Sequence, residues 1–147
     1  MTFEIKATRG TKQMLIGIKA HPFRHRKALR SALNEIGSEA VNAIANYIFN
    51  PPKTGRIYFY KGREYQASAP GESPANRSGK LAKSGGYKVR NYQEMTVGET
   101  AEYAEYLENP KPDSRIKQRP HIIRAVKEKQ RDTINTILEH INHELGA

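Results

Sequence analysis

The segment 71–80, GESPANRSGK, carries the glycines and the lysine of a phosphate-binding loop. A Walker loop sets four residues between its first glycine and Gly-Lys, and follows the lysine with Ser or Thr so that a hydroxyl reaches magnesium. Here seven residues intervene and Leu81 follows, a spacing that cannot wrap a phosphate in that way. His140 and His143 stand three apart beside Glu139 and Glu144. Two imidazoles on one helix face suit a metal, yet the HExxH order is absent and spacing supplies no third ligand. That pattern predicts a solvated helix face. His21 and His25 are set among Arg24, Arg26 and Lys27, which repel a cation. His121, next to Pro120 at a helix start, reads as a capping or packing residue. Ser68, Ser73, Ser78 and Ser84 lack the G-x-S-x-G elbow of a nucleophilic serine. The chain has no cysteine, so it has no thiol nucleophile and no Cys-zinc site. Glu99, Glu102, Glu105 and Glu108 recur every three residues and would line one side of a helix. A solvated or partner-facing surface is the reading for them. The expectation is a protein with no catalytic residues, no cofactor and no metal: not an enzyme.

Charge says more. The 147 residues hold 25 Lys and Arg against 15 Asp and Glu, a formal net charge of +10. Residues 1–50 carry 8 basic and 3 acidic side chains, residues 51–93 carry 9 and 2, and residues 94–147 carry 8 and 10. The first two thirds are therefore basic and the last third slightly acidic. Unlike charges on separate parts of one chain suit head-to-tail contacts between copies. The expected subunit-interface residues are Glu102, Tyr103, Glu105, Tyr106, Leu107 and Glu108, where aromatic and aliphatic side chains supply a centre and carboxylates a rim. In 56–65, RIYFYKGREY, aromatic and basic residues interleave, as in surfaces that stack bases and neutralise phosphates. The same residues also suit the exposed face of a hairpin. Candidate contacts to a DNA channel or to phosphate are Arg56, Lys61, Arg63, Arg77, Lys80, Lys83 and Lys88. Such contacts are sequence-independent, because backbone phosphates carry no base identity.

The elements that must position these residues follow from periodicity and punctuation. Phe3–Ile5 and Met14–Ile18, split by Gly10, read as an N-terminal arm or a pair of strands over 1–20. Pro22 suits the first turn of a helix, with His21 as its cap. Leu29, Leu33, Ile36, Ala40, Ile44 and Ile48 step by three and four, which predicts a helix from Phe23 to about Phe49, about 40 Å long. Gly37 weakens it, and Asn50-Pro51-Pro52 ends it. Residues 56–60 and 63–67 flank Lys61-Gly62 and predict a hairpin. Residues 68–79, rich in Pro, Gly and Ser, predict a mobile loop, of which 68–77 are expected to be disordered in the free protein and ordered by a neighbour. Residues 78–84 allow one or two helical turns. Residues 86–92 and 94–100 predict a second hairpin, and 101–109 a short helix or a last strand. After Pro120 a stripe of Ile123, Val126, Ile134, Ile137, Leu138, Ile141 and Leu145 predicts a final helix, stopped at Gly146. The fold class is α+β: a long N-terminal-half helix and a C-terminal helix on one face of an antiparallel β meander, forming a single domain over 21–147. Hydrophobic residues make up 37% of the chain, enough for one modest core. No run reaches the ~18 apolar residues of a membrane span, and the opening MTFEIKATRG has no apolar h-region, so neither a span nor a signal peptide is expected. The lack of cysteine fits an intracellular origin and also suits an oxidising space.

One resemblance adds to this reading. Gly55-Arg56-Ile57-Tyr58, the run from Tyr65-Gln66-Ala67-Ser68 through Ala69-Pro70-Gly71-Glu72 to Ser73-Pro74-Ala75, and Ser78-Gly79-Lys80-Leu81 together resemble a family of small tailed-phage neck proteins. These are the head–tail joining or tail-completion proteins of siphovirus-like phages and prophages. Tyr103-Ala104-Glu105-Tyr106-Leu107-Glu108 and Arg119-Pro120 resemble two further elements of that family. The chain departs from it at His121-Ile122-Ile123, where the family has Phe and Leu. The likeness spans about 54–125. It implies a virion structural protein without catalysis, made in the host bacterial cytoplasm and placed in the neck between the capsid connector and the tail tube. Its partners would be copies of itself in a ring, sixfold or twelvefold around the DNA channel, adjacent neck, connector and tail-tube proteins, and packaged DNA contacted without regard to sequence. Composition alone leaves open an alternative, a small basic sequence-independent nucleic-acid-binding protein.

Overall fold

The computed structural model describes residues 2–6 and 22–145. In chain order it has strand β1 (Thr2–Lys6), helix α1 (Pro22–Phe49), strands β2 (Ile57–Tyr60) and β3 (Arg63–Gln66), a 3-10 turn (Ala82–Ser84), strands β4 (Gly85–Arg90) and β5 (Glu94–Glu99), a short helix α2 (Ala104–Glu108) and the last helix α3 (Ile122–Leu145). The class is α+β, with the long helix and the C-terminal helix packed together and α1 laid on the strands. Met14–Ile18, Gly10, His21 and Gly146 lie outside the described residues.

α1 begins at Pro22, whose missing amide costs nothing in a first turn. Its buried side alternates small and bulky stretches: Ala28 and Ala32, then Leu33 and Ile36, then Ala40 and Ala43, then Ile44 and Ile48. The alanines let α3 and the sheet approach closely. Gly37 has a positive role there. A Cβ on it would meet Tyr87 Cδ2 at 2.3 Å and Cγ at 2.6 Å, so the ring of β4's Tyr87 sits where any side chain would be. The residue that lowers helix propensity is the one that lets strand and helix touch.

The strands form two sheets rather than one meander. β1, β5 and β4 make an antiparallel sheet in the order β1-β5-β4, while among the described residues β2 and β3 form a separate two-stranded hairpin. On β5, Met95 and Val97 alternate into the core, each facing β4 partners, Val89 and Tyr87. Met95 joins Leu33 and Ile36 in one cluster; Val97 joins Ala40, Ala43, Ile44, Ile48 and Ile122 in the other. The β2–β3 turn has positive φ at both Lys61 (49°) and Gly62 (73°), between the paired residues Tyr60 and Arg63. That is the two-residue turn whose twist matches the strands it joins.

α3 corrects the predicted stripe. Ile122, Ala125, Thr133 and Ile141 are buried, whereas Ile134 and Leu138 are exposed. Of the stripe, Ile141 is buried and Val126 and Ile137 pack against the core, but the buried line runs beside it through Ile122, Ala125 and Thr133 and leaves Ile134 and Leu138 outside. Among the described residues no helix is long and apolar enough to cross a membrane.

Candidate functional site

Three pieces of chain far apart in sequence are knotted together: the stretch around Thr54–Gly55, the loop 67–75, and residues 107–124. Glu72 is the first fastener. Its carboxylate accepts from the Thr54 amide at 3.1 Å and from the Ala69 amide at 2.8 Å, and also from the Thr54 hydroxyl. The Thr54 hydroxyl first, then the Ala69 and Thr54 amides, hold the carboxyl down at about 2. Gly71, at φ 83°, turns the chain so that its amide donates to the Gln118 carbonyl at 2.9 Å, while Arg124 donates to the Gly71 carbonyl at 2.7 Å. The buried Ser73 hydroxyl donates to the Pro120 carbonyl at 3.1 Å. Gly55 lies so close to the Ala67–Ser68 backbone that a Cβ would fall 2.5 Å from the Ala67 oxygen. The mobile loop expected over 68–79 is thus anchored within the subunit across 69–73. The sequence argument weighed apolar side chains against ordering entropy and left out the backbone and carboxylate bonds that also offset it.

Beneath this knot lies a buried ionic group. The His121 imidazole meets Glu99 through Nε2 at 2.8 Å and Glu108 through Nδ1 at 3.0 Å, with all three side chains enclosed. Glu108 also caps α3, accepting from the amides of His121 (3.0 Å), Ile122 (3.2 Å) and Ile123 (3.0 Å). A carboxylate at a helix N-terminus satisfies free amides and complements the helix dipole. Burial works against the charge on His121, but the bonds to Glu108 and Glu99 outweigh it and hold the imidazole up at about 9. Burial likewise opposes the Glu108 charge, and the bonds from the His121 side chain, its amide and the Ile123 amide outweigh it, keeping the carboxyl at about 2. The group's chemistry is structural: it locks the end of β5, α2 and the start of α3 to one another.

The predicted interface residues therefore divide. Glu102, Tyr103, Glu105 and Tyr106 are exposed, Leu107 packs against the core, and Glu108 is buried in the cap. The acidic stretch does not line one helix side, because Glu99 ends a strand and α2 spans only Ala104–Glu108. His121 holds a helix start, where capping or packing was expected, but as the cation of a buried group. No local pattern marks it, since its partners lie 22 and 13 residues away. His140, expected on a solvated helix face, is half-buried and pairs with Glu35 of α1 at 2.6 Å.

The candidate phosphate contacts Arg56, Lys61, Arg63, Arg77, Lys80, Lys83 and Lys88 are all exposed. The structure gathers some of them at the β2–β3 hairpin. Arg56 lies over the Tyr58 ring at 5.5 Å, while Lys61 and Arg77 lie over Tyr60 at 5.6 and 4.5 Å. Lys83 and Lys88 stand apart on the 3-10 turn and β4. Alternation puts Tyr58, Tyr60, Arg63 and Tyr65 on one hairpin face and Ile57, Phe59, Glu64 and Gln66 on the other. The tyrosine face leans on the loop: the Tyr65 hydroxyl donates to the Ala75 carbonyl at 3.4 Å. At its base, Tyr65, Arg77, Lys80, Tyr103 and Arg119 line an open cleft of about 540 Å³. The cleft brings cations and ring faces together, with no carboxylate or imidazole on its wall for acid–base work.

Compared with known proteins, the chain matches no family model, no curated protein and no solved structure.

Proposed function

We propose that this chain is a structural protein of a tailed-phage neck, acting in head–tail joining or tail completion as copies arranged around the DNA channel, and without catalysis. One observation carries the reading. The residues behind the resemblance are scattered over 54–84, 103–108 and 119–120, yet they meet in one knot: Gly55 against Ala67–Ser68, Gly71 on Gln118, Arg119 on Leu107, and Ser73 on Pro120. Segments that resemble a family separately, and then fasten to one another, behave as one building plan. Exposed cations and aromatics on a projecting hairpin, with exposed carboxylates elsewhere, suit a protein whose work is contact. Partners under this reading are further copies, connector-side and tail-tube proteins, and DNA met through its phosphates.

A second reading has its own observation in its favour. The cation-over-ring pairs of the hairpin are the arrangement that binds nucleic acid without sequence preference. Negative-stain imaging and light scattering over rising concentration, beside a salt titration of duplex-DNA binding, separate the two. Annular particles with weak, sequence-blind DNA binding support the neck protein. A chain that stays monomeric and binds DNA tightly, with a steep log–log salt slope, overturns it in favour of the binding module.

A further inference from the structure

The cleft at the foot of the β2–β3 hairpin takes its walls from three parts of the chain: β3 with the residues just after it, the 74–81 loop, and α2 together with Arg119. Its charged lining is cationic throughout, namely Arg77, Lys80 and Arg119, and neither Glu102 nor Glu105 enters it, although both stand close to Tyr103 in the chain. Two of the cations are held in place. Arg77 lies over the Tyr60 ring at 4.5 Å. Arg119 is fixed by its amide on the Leu107 carbonyl at 2.7 Å and by its guanidinium on the Ala69 carbonyl at 3.4 Å. Burial holds the Tyr65 hydroxyl above its ordinary range, and Arg77 and Arg119 pull against that rise, so both charges are felt inside the cleft. Cations with no carboxylate on the wall attract an anion, and groups already in position lose little freedom when one binds.

The rest of the lining narrows the choice of anion. A volume of about 540 Å³ falls within the ~300–1,000 Å³ of small-ligand sites. The main chain of the walls is engaged within the subunit. The Ala67 amide donates to the Arg56 carbonyl, and the Ala67 carbonyl accepts from Gly55. The Ala75 carbonyl accepts from the Tyr65 hydroxyl, and the Gly79 amide donates to the Asn76 side chain. An extended peptide is gripped largely through such main-chain groups, so this cleft recognises through side chains, as guanidinium, ammonium and ring face. The Tyr103 ring is 40% exposed. A ring face beside cations serves an unpaired base and its phosphate, whereas a duplex keeps its base faces stacked on one another.

We infer that this cleft is a binding site for an unpaired nucleotide of a single-stranded nucleic acid, its phosphate held by Arg77, Lys80 and Arg119 and its base laid on Tyr103. The site goes beyond the assembly reading and does not need it, since one subunit supplies every wall. It is also distinct from the duplex contacts of that reading, which need only exposed cations. Stacking accepts any base, so the site reads strandedness rather than sequence.

Fluorescence anisotropy of a fluorescein-labelled ten-residue oligo(dT) tests this on the full chain, with a duplex of equal length and a polyglutamate peptide as competitors. The single strand should bind at least about tenfold more tightly than the duplex. Tyr103→Ala should weaken it at least about fivefold, and Tyr103→Phe, which keeps the ring, should not. The Tyr103 side chain makes no cap bond to α2, so circular dichroism of both variants should match the parent. Lys80→Gln should reduce the log–log salt slope by about 0.7, the share of one phosphate on a single strand. Lys88→Gln, the same loss of charge on β4, should leave single-strand binding nearly unchanged. Equal affinity for duplex and single strand, or equal losses from Lys80→Gln and Lys88→Gln, would reduce the cleft to general basic attraction and overturn the inference. Displacement by polyglutamate as effective as by unlabelled oligo(dT) overturns it in favour of an acidic protein segment. Annular particles that bind no single strand overturn the site and leave the assembly reading intact; a monomer that binds the single strand as described does the reverse.

Discussion

Replacing His121 with Gln tests the buried ionic group most sharply, because it removes the cation and keeps a polar side chain of similar size. In the folded protein the imidazole is held at about 9, against 6.5 for an ordinary histidine. Each tenfold change in proton affinity is worth about 1.4 kcal/mol, so the raise corresponds to about 3 kcal/mol of stability. The side chains of His121 and Glu99 are wholly enclosed, so solvent screening takes little from that figure. The same contact seen from Glu108 is the same energy, counted once. A raised pKa means that the folded state holds the proton more tightly. The contribution is therefore complete below pH 6.5 and is lost as pH rises through 9. Across that window unfolding free energy should fall by up to about 1.4 kcal/mol per pH unit. Urea unfolding followed by circular dichroism, from pH 5.5 to 10, measures this directly; 3 kcal/mol moves the midpoint by about 1–2 M at ordinary urea slopes. The His121→Gln protein should be about 3–5 kcal/mol less stable at pH 6, with two carboxylates left facing each other, and should lose the pH slope between 6.5 and 9. A variant with the parent's slope, or a parent that is flat across the window, refutes the reasoning.

Other expectations follow from individual contacts. At the acid end, Glu108, held at about 2, gives stability that is complete above pH 4.5 and lost as pH falls through 2; Glu108→Gln should flatten that limb of the same urea series. Gly37→Ala gains about 1 kcal/mol of helix propensity but drives a methyl into the Tyr87 ring, an overpacking cost of about 1–3 kcal/mol. The single variant should be destabilised, and in a Tyr87→Ala background the same change should become stabilising, as a thermal double-mutant cycle would reveal. The Gly71 amide, bonded to Gln118, should exchange slowly with deuterium in the isolated subunit, and Glu72→Ala should speed exchange at Ala69 and Thr54, whose amides it holds.

Much of the frame was readable before any coordinates. The long helix announced itself by its step of three and four and by the prolines at both ends, and the turn at Lys61-Gly62 by its position between aromatic runs. The limits of α3 were readable too, but its orientation was not. Ala125 and Thr133 are inconspicuous until α1 is placed against them, and Ile134 and Leu138 stand out in the sequence by bulk yet stay exposed. The acidic stretch misled for a related reason. Its spacing is regular, but a strand end, a turn and a five-residue helix share it, so its members face different ways. Glu72, Glu99, Glu108 and His121 act over separations of 3 to 22 residues, and periodicity within one element holds no information about partners in another.

The way α1 and α3 meet also sets the order in which the chain can fold. Tyr47 donates to Glu128 across 81 residues, and His140 reaches Glu35 across 105. The buried side of α1 is closed by a helix that follows the other described elements in chain order, and that helix has no N-terminal cap until Glu108 and the strand bearing Glu99 are already in position. Contacts of such long sequence separation are reached slowly, because the loop between them must be closed before they contribute anything. A growing chain therefore carries an uncovered, alanine-rich face until residues 122–145 have been made, and locks only when residues 121–123 settle on Glu108. Yield in the cell should depend on protection of that intermediate more than on the stability of the finished fold.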